Sequence, residues 1–135
     1  MPSRIFVDTA FVIALINRRD QYHHQASELA DRFEGYPLLV TDAVLLEIGN
    51  ALAFGYKQEA IEIIEHFLAS EEVEIVRLTP QLFEQGFALY KQYRDKEWSL
   101  VDCISFVAMR EAGVNQALTF DRRFIQARFE VLIRI

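Results

Sequence analysis

The sequence predicts a single α/β domain: a central, mainly parallel, five-stranded sheet flanked by helices. Three observations carry that prediction. The 135 residues are one domain's length, and 52% hydrophobic residues suffice to fill a core. Only five glycines and three prolines occur, and no repeat, low-complexity tract or linker divides residues 1–135 into separate domains. Short β-type runs alternate with helical patterns, and strands separated by helices join through right-handed crossovers of a parallel sheet.

The first strand is read at Arg4-Ile5-Phe6-Val7, ended by Asp8 ahead of Thr9-Ala10-Phe11-Val12. Leu38-Leu39-Val40 is the second. From Ala43 to Leu52 the chain is a nearly continuous apolar helix, whose only polar side chains, Glu47 and Asn50, share one face at i,i+3. Glu59 to Ala69 is helical, with Ile61, Ile64 and Leu68 on one stripe, and Val73 to Leu78 is the third strand. Thr79-Pro80 forms an N-cap followed by Pro at the first helical position, after which Phe83, Phe87 and Tyr90 recur at helical spacing. Ser99 opens another apolar helix, and its Ser-x-x-Asp spacing to Asp102 matches a capping box; Asp102 and Ser105 again stand i,i+3. Gln116 to Thr119 and Val131 to Ile135 complete the strands, with Asp121 closing the first of these. In such open sheets, ligands bind beyond the carboxyl ends of the strands.

Charge and cysteine content narrow the function classes. Acids outnumber bases 20 to 14, a net charge of −6, which argues against gripping nucleic acid by bulk positive charge. Handling phosphates through metal ions stays open. The single cysteine, Cys103, excludes an internal disulfide framework and fits a reducing compartment; its apolar neighbours predict a buried, inert thiol. No apolar run reaches the ~18 residues of a membrane span. Met1 to Arg19 resembles a signal peptide only superficially, because Asp8 interrupts it, Arg18-Arg19 follow, and no small-residue cleavage site is present. The expectation is a soluble, cytoplasmic protein with no membrane association.

Most carboxylates lie in mixed polar stretches such as Glu28 to Glu34 and read as solvated. Asp8, Glu47, Asp102 and Asp121 do not, because each stands in or at the end of an apolar segment. A buried carboxylate is costly unless protonated, paired or bound to a metal. Asp8 and Asp121 end strands, Asp102 opens a helix, and Glu47 lies one to two turns into the helix after the second strand, so all four converge on one sheet edge. Taken singly, an Asp at a helix N-terminus is equally well a cap; Glu47, beyond the first turn, is poorly explained that way. No Arg or Lys lies within the apolar runs to neutralise the set. The only histidines are His23, His24 and His66, and His24-to-Glu28, in a polar stretch, reads as exposed. Carboxylate oxygens without His or Cys select Mg²⁺ or Mn²⁺, and the matching reaction is attack of water on a phosphodiester. Thr9, Asn50, Ser99, Ser105 and Thr119 are candidates for positioning water or ligand.

At these residues the sequence resembles the PIN-domain family, especially the VapC-type ribonuclease toxins of prokaryotic toxin–antitoxin pairs. The anchors are Phe6-Val7-Asp8-Thr9, Thr41 through Glu47 to Leu52, Trp98-Ser99-Leu100-Val101-Asp102 and Leu118-Thr119-Phe120-Asp121-Arg122-Arg123-Phe124. Their order and spacing cover essentially the whole chain. The resemblance implies a parallel sheet with an acidic Mg²⁺/Mn²⁺ site at its carboxyl edge. Asp8 and Asp102 would be direct ligands, Glu47 a ligand or water-positioning base, and Asp121 a ligand or outer group. It also implies an RNA substrate, a homodimer and a cognate antitoxin partner. Arg18, Arg19, Arg122 and Arg123 are candidates for RNA phosphates, with a solvated face as the plain alternative. Tyr22 and Trp98 are candidates for stacking on an unpaired base, with packing favoured for Trp98. The competing classes are a DNA or flap nuclease, a phospho-receiver signalling module and a non-catalytic protein-binding module. Against the receiver, no acid precedes Asp8 and no lysine follows Lys96.

Overall fold

The computed structural model describes residues 4–132. In chain order the elements are β1 (Ile5–Val7), α1 (Thr9–Ile16), α2 (His23–Arg32), β2 (Leu38–Thr41), α3 (Asp42–Ala51), α4 (Lys57–Ala69), β3 (Val73–Val76), α5 (Pro80–Gln92), α6 (Leu100–Ala112), β4 (Gln116–Leu118), α7 (Arg123–Gln126) and β5 (Glu130–Val131). The five strands form one sheet in the order β3-β2-β1-β4-β5, and every neighbouring pair is parallel. Ile5, Phe6 and Val7 are all buried. Successive strand residues point to opposite faces, so both faces of the sheet are covered at its centre.

Chain order reverses between β1 and β4. Moving outward from β1, the chain runs through β2 and β3 on one side; on the other it resumes at β4 and β5. The connections on either side of this point lead away from each other and leave a crevice at the carboxyl ends of β1 and β4. Asp8 directly follows β1, and Thr119 and Asp121 follow β4.

Pairing sets the strand ends. Val76 pairs with Thr41 and Leu118 with Val7, the last residues of their partners. The expected strand through Leu78 therefore stops at Val76. Beyond it, the Leu78 N–H donates to the Asp42 carboxylate and Arg77 pairs with the same group, which docks this segment on the start of α3. The expected strand to Ile135 begins one residue early, at Glu130; residues 133–135 lie outside the described residues.

Two helical stripes turn out differently from their spacing. On α5 the buried residues are Leu82, Gly86 and Leu89, whereas Phe83, Phe87 and Tyr90 are each about two-fifths exposed. The two stripes are offset by one residue, and the packing of α6 decides between them. A Cβ on Gly86 would lie 2.6 Å from Ile104 Cγ1 and 3.2 Å from Ile104 Cα. Only glycine permits that approach. The outward rings cover one another, with Phe87 stacked between Phe83 and Tyr90 and the Lys91 ammonium 4.9 Å from the Phe87 ring centroid. On α4, likewise, Ala60 and Phe67 are buried while Ile61 and Leu68 are exposed. Nor is α3 apolar all round in its setting, because Leu46 is exposed.

Behind the crevice lies an aromatic core. Phe106 packs edge-on to Phe124, at 5.0 Å and 87°, and to Trp98, at 5.1 Å and 78°. Trp98 is buried and its indole N–H donates to Gln126 at 2.9 Å, so it serves packing as expected. That bond ties the segment before α6 to α7.

Candidate functional site

Asp8 is the N-cap residue of α1, yet its side chain makes no capping bond. Its Oδ2 instead accepts a hydrogen bond from the Thr119 hydroxyl at 2.7 Å. The group is 6% exposed. Burial, with Asp102 and Asp121 as further like charges, pushes it from 3.8 up to about 7, against the lowering pull of Thr119. Capping accounts for little here, because the side chain makes no capping hydrogen bond and is bonded across the sheet to Thr119.

From Asp8 a chain of polar contacts runs through Thr119 and Arg123 to Asp121 and Asp102, and Glu47 is held by the residue after Asp8. Thr9, next in sequence, donates its hydroxyl to Glu47 Oε1 at 2.6 Å. Thr119 accepts from the Asp121 N–H at 3.0 Å while donating to Asp8. Asp121 accepts the Arg123 N–H at 2.9 Å through Oδ1 and faces the Arg123 guanidinium at 3.3 Å through Oδ2. The same guanidinium nitrogen lies 3.5 Å from Asp102 Oδ2. Asp102 and Ser99 form the reciprocal capping box that their spacing predicts, each side chain bonded to the other's backbone N–H. Burial raises Asp102 above the usual carboxylate range, with Asp121 adding in the same direction.

The structure thus places Asp8, Thr9, Glu47, Ser99, Asp102, Thr119 and Asp121 in one network at the carboxyl edge of β1 and β4. Arg123 belongs to it as well. Although no cation lies within the apolar runs, this one arrives from the start of α7. Its guanidinium is engaged with Asp102 and Asp121, not free at the surface. Asn50 is exposed near the end of α3 and outside this network. Ser105 is fully buried, and its hydroxyl has no hydrogen-bond partner among the described residues. Arg18, Arg19 and Arg122 are exposed. Away from the network, His24 and Glu28 form an exposed i,i+4 pair. Cys103 is buried, and desolvation, with Asp102 beside it, lifts its thiol to about 11; it is unreactive there.

The donor chemistry fits a hard divalent cation: carboxylate and hydroxyl oxygens converge, and one acid is held near neutrality by burial and like charges. Among the described residues no three Asp, Glu, His or Cys side chains already stand as a ligand cage. Arg123 bridges two of the acids instead, so the residues fit such an ion in kind, and ligation requires that guanidinium to yield.

Fold and site define an open α/β domain with a carboxylate network at the switch point of a 3-2-1-4-5 parallel sheet. Residues 5–130 match the PIN domain family model, and the chain belongs to that family. It is 32% identical over 127 residues to the 23S rRNA-specific endonuclease VapC20 of Mycobacterium tuberculosis, covering 93% of this chain and 95% of that protein. It is 28% identical over 101 residues to a VapC ribonuclease of Aquifex aeolicus, 73% of this chain and 72% of that protein. The crystal structure of M. tuberculosis VapC20, described as a Sarcin-Ricin loop cleaving toxin, superposes with a TM-score of 0.86 at 31% identity, covering 96% of this chain and 99% of that one. FitAcB from Neisseria gonorrhoeae shares the fold at a TM-score of 0.63 and 13% identity, over 94% of this chain and 95% of that one.

Sequence reasoning missed two features beside the acids. One is the bridging role of Arg123. The other is a parallel stack of Tyr22 on Phe120, at 4.5 Å and 6°; Tyr22 is a stacking candidate from sequence, but nothing in the spacing joins residues so far apart.

Proposed function

We infer that this protein is an endoribonuclease of the toxin type, dependent on Mg²⁺ or Mn²⁺, with Asp8, Asp102, Asp121 and Glu47 as its acidic centre. The observation that carries this reading is Asp8, a buried carboxylate raised to about 7 by burial and by two further acids at the crevice of the sheet. Asp8, Asp102, Asp121 and Glu47 would hold a divalent ion there, which would supply positive charge to activate a water and stabilise the leaving oxygen of a phosphodiester. Thr119 bonds Asp8 across the sheet, and Thr9 holds Glu47 through one oxygen, so that the other could take a proton of the attacking water. The capping box ties Asp102 Oδ2 to the Ser99 N–H and so holds the carboxylate at the start of α6. Arg123, once displaced from the acids, is placed to meet a substrate phosphate.

The names of the relatives direct the choice of substrate to 23S rRNA, at its sarcin–ricin loop. Partner readings follow the family: a homodimer and a cognate antitoxin in the cytoplasm. Phe83, Phe87 and Tyr90 on α5, together with Leu46, Phe54, Ile61 and Leu68, are exposed large apolar side chains and support a partner surface. No described helix is long and apolar enough to cross a membrane.

The test is incubation of purified protein with ribosomes and with naked RNA. Cleavage of 23S rRNA with Mg²⁺ or Mn²⁺, lost with chelator and reduced at least ~100-fold in Asp8→Asn and Asp102→Asn, is the expected result. Equal cleavage of single-stranded or flapped DNA would make it a DNA nuclease. No cleavage of any RNA by metal-loaded protein would overturn the reading.

A further inference from the structure

We propose that Tyr22, backed by Phe120, is a stacking platform for one unpaired base of the RNA, seated beside the acidic centre. The proposal rests on the ribonuclease reading and adds a base-binding subsite to it. Phe120 immediately precedes Asp121 and sits between Phe11 and Tyr22, with ring centroids 6.4 Å and 4.5 Å away. One Tyr22 face is therefore covered, and the residue remains 36% exposed. Tyr22 and Phe120 wall a hollow of about 540 Å³, which Asp20, Asp121 and Arg123 also line. The subsite and the acidic centre thus share a wall. Arg122 and Gln21 border the same hollow, offering a cation for a phosphate and an amide that can both donate to and accept from a base edge.

The segment carrying Tyr22 is pre-formed. The Tyr22 N–H donates to Asp20 Oδ1 at 2.9 Å and the Arg19 N–H to Asn17 Oδ1 at 3.0 Å. Asn17 Oδ1 also accepts from the Tyr56 hydroxyl at 3.1 Å. Immediately after Tyr22, His23 Nδ1 lies 2.9 Å from the Ala14 carbonyl. A ring held this way loses little freedom on binding. The plain alternative, an exposed tyrosine that merely shields Phe120, accounts for the stack. It does not account for the wall shared with Asp121 or for the amide and guanidinium around it. Every base presents a π-face, so the platform itself tolerates any sequence, while Gln21 can discriminate. A stacked base must be unpaired, as in a loop.

The experiment measures binding of a fluorescent sarcin–ricin-loop hairpin, and of a short mixed-sequence oligoribonucleotide, to the non-cutting Asp102→Asn protein, alone and combined with Tyr22→Ala or Tyr22→Phe. Hairpins with single abasic positions form a second series. Tyr22→Ala should weaken binding roughly tenfold and Tyr22→Phe less than about twofold, with melting temperatures unchanged. One abasic position should weaken the Tyr22 protein by the same factor and the Tyr22→Ala protein no further. Equal affinity of Tyr22→Ala and Tyr22 proteins, or a loss with no matching abasic position, would overturn the subsite. Cleavage by the otherwise unaltered chain separates the two readings. Metal-dependent cutting with an unchanged KM in Tyr22→Ala removes the subsite alone. Tyr22-dependent binding without cutting by the unaltered chain removes the nuclease reading alone.

Discussion

Asp8 leaves the sheet at the point where the strand order reverses, and its surroundings set its protonation. The folded protein holds a proton there up to about pH 7, whereas an unfolded chain releases it near 3.8. Metal-free protein therefore loses stability as pH rises from about 4 to about 7 and levels off above that. Asp102, raised in the same direction, adds to the decline. Thermal melts in chelator should show a clear fall over this window, shallower in Asp8→Asn; equal slopes would contradict the burial of a reluctant charge. Arg123→Ala removes the cation between Asp102 and Asp121. It should lower the melting temperature in chelator and enlarge the rise produced by Mn²⁺, and an unchanged Mn²⁺ increment would rule out competition for those acids. The acids were legible in the sequence because a carboxylate in an apolar run is anomalous on its own. Arg123 was not, since its link to Asp102 spans 21 residues and no spacing rule connects α7 to α6.

At the level of elements, strands and capped helices were readable wherever the signal is local. Thr79-Pro80 and Ser99-to-Asp102 form the caps that their spacing predicts, and the strand cores fall where β-type runs occur. Which side of a helix turns inward was less legible, because α5 carries two apolar stripes one residue apart and periodicity cannot choose between them. Gly86 chooses. Its missing Cβ lets α6 approach until Ile104 backbone atoms lie 3.2–3.3 Å from where that carbon would be. Gly86→Ala should push α5 and α6 apart and cost about 1–3 kcal/mol in chemical denaturation, against the usual gain for Gly→Ala within a helix. Because α6 carries Asp102, the same variant should also slow cleavage. A neutral or stabilising result would mean that the helices are not held at this distance.

For the whole molecule, a net charge of −6 and an RNA substrate are reconciled by where the acids lie. Most face solvent; a few meet at the crevice, where the divalent ion of the proposed function would reverse the local sign. The parallel sheet gathers residues as distant as Asp8 and Thr119, bonded across 111 positions. Anomalous diffraction from crystals soaked in Mn²⁺ tests this convergence. One peak or a close pair of peaks should appear within ligating distance, ~2.1–2.3 Å, of the Asp8 and Asp102 carboxylates, with Arg123 turned away. Manganese bound only elsewhere, with Arg123 still bridging Asp102 and Asp121, would contradict it.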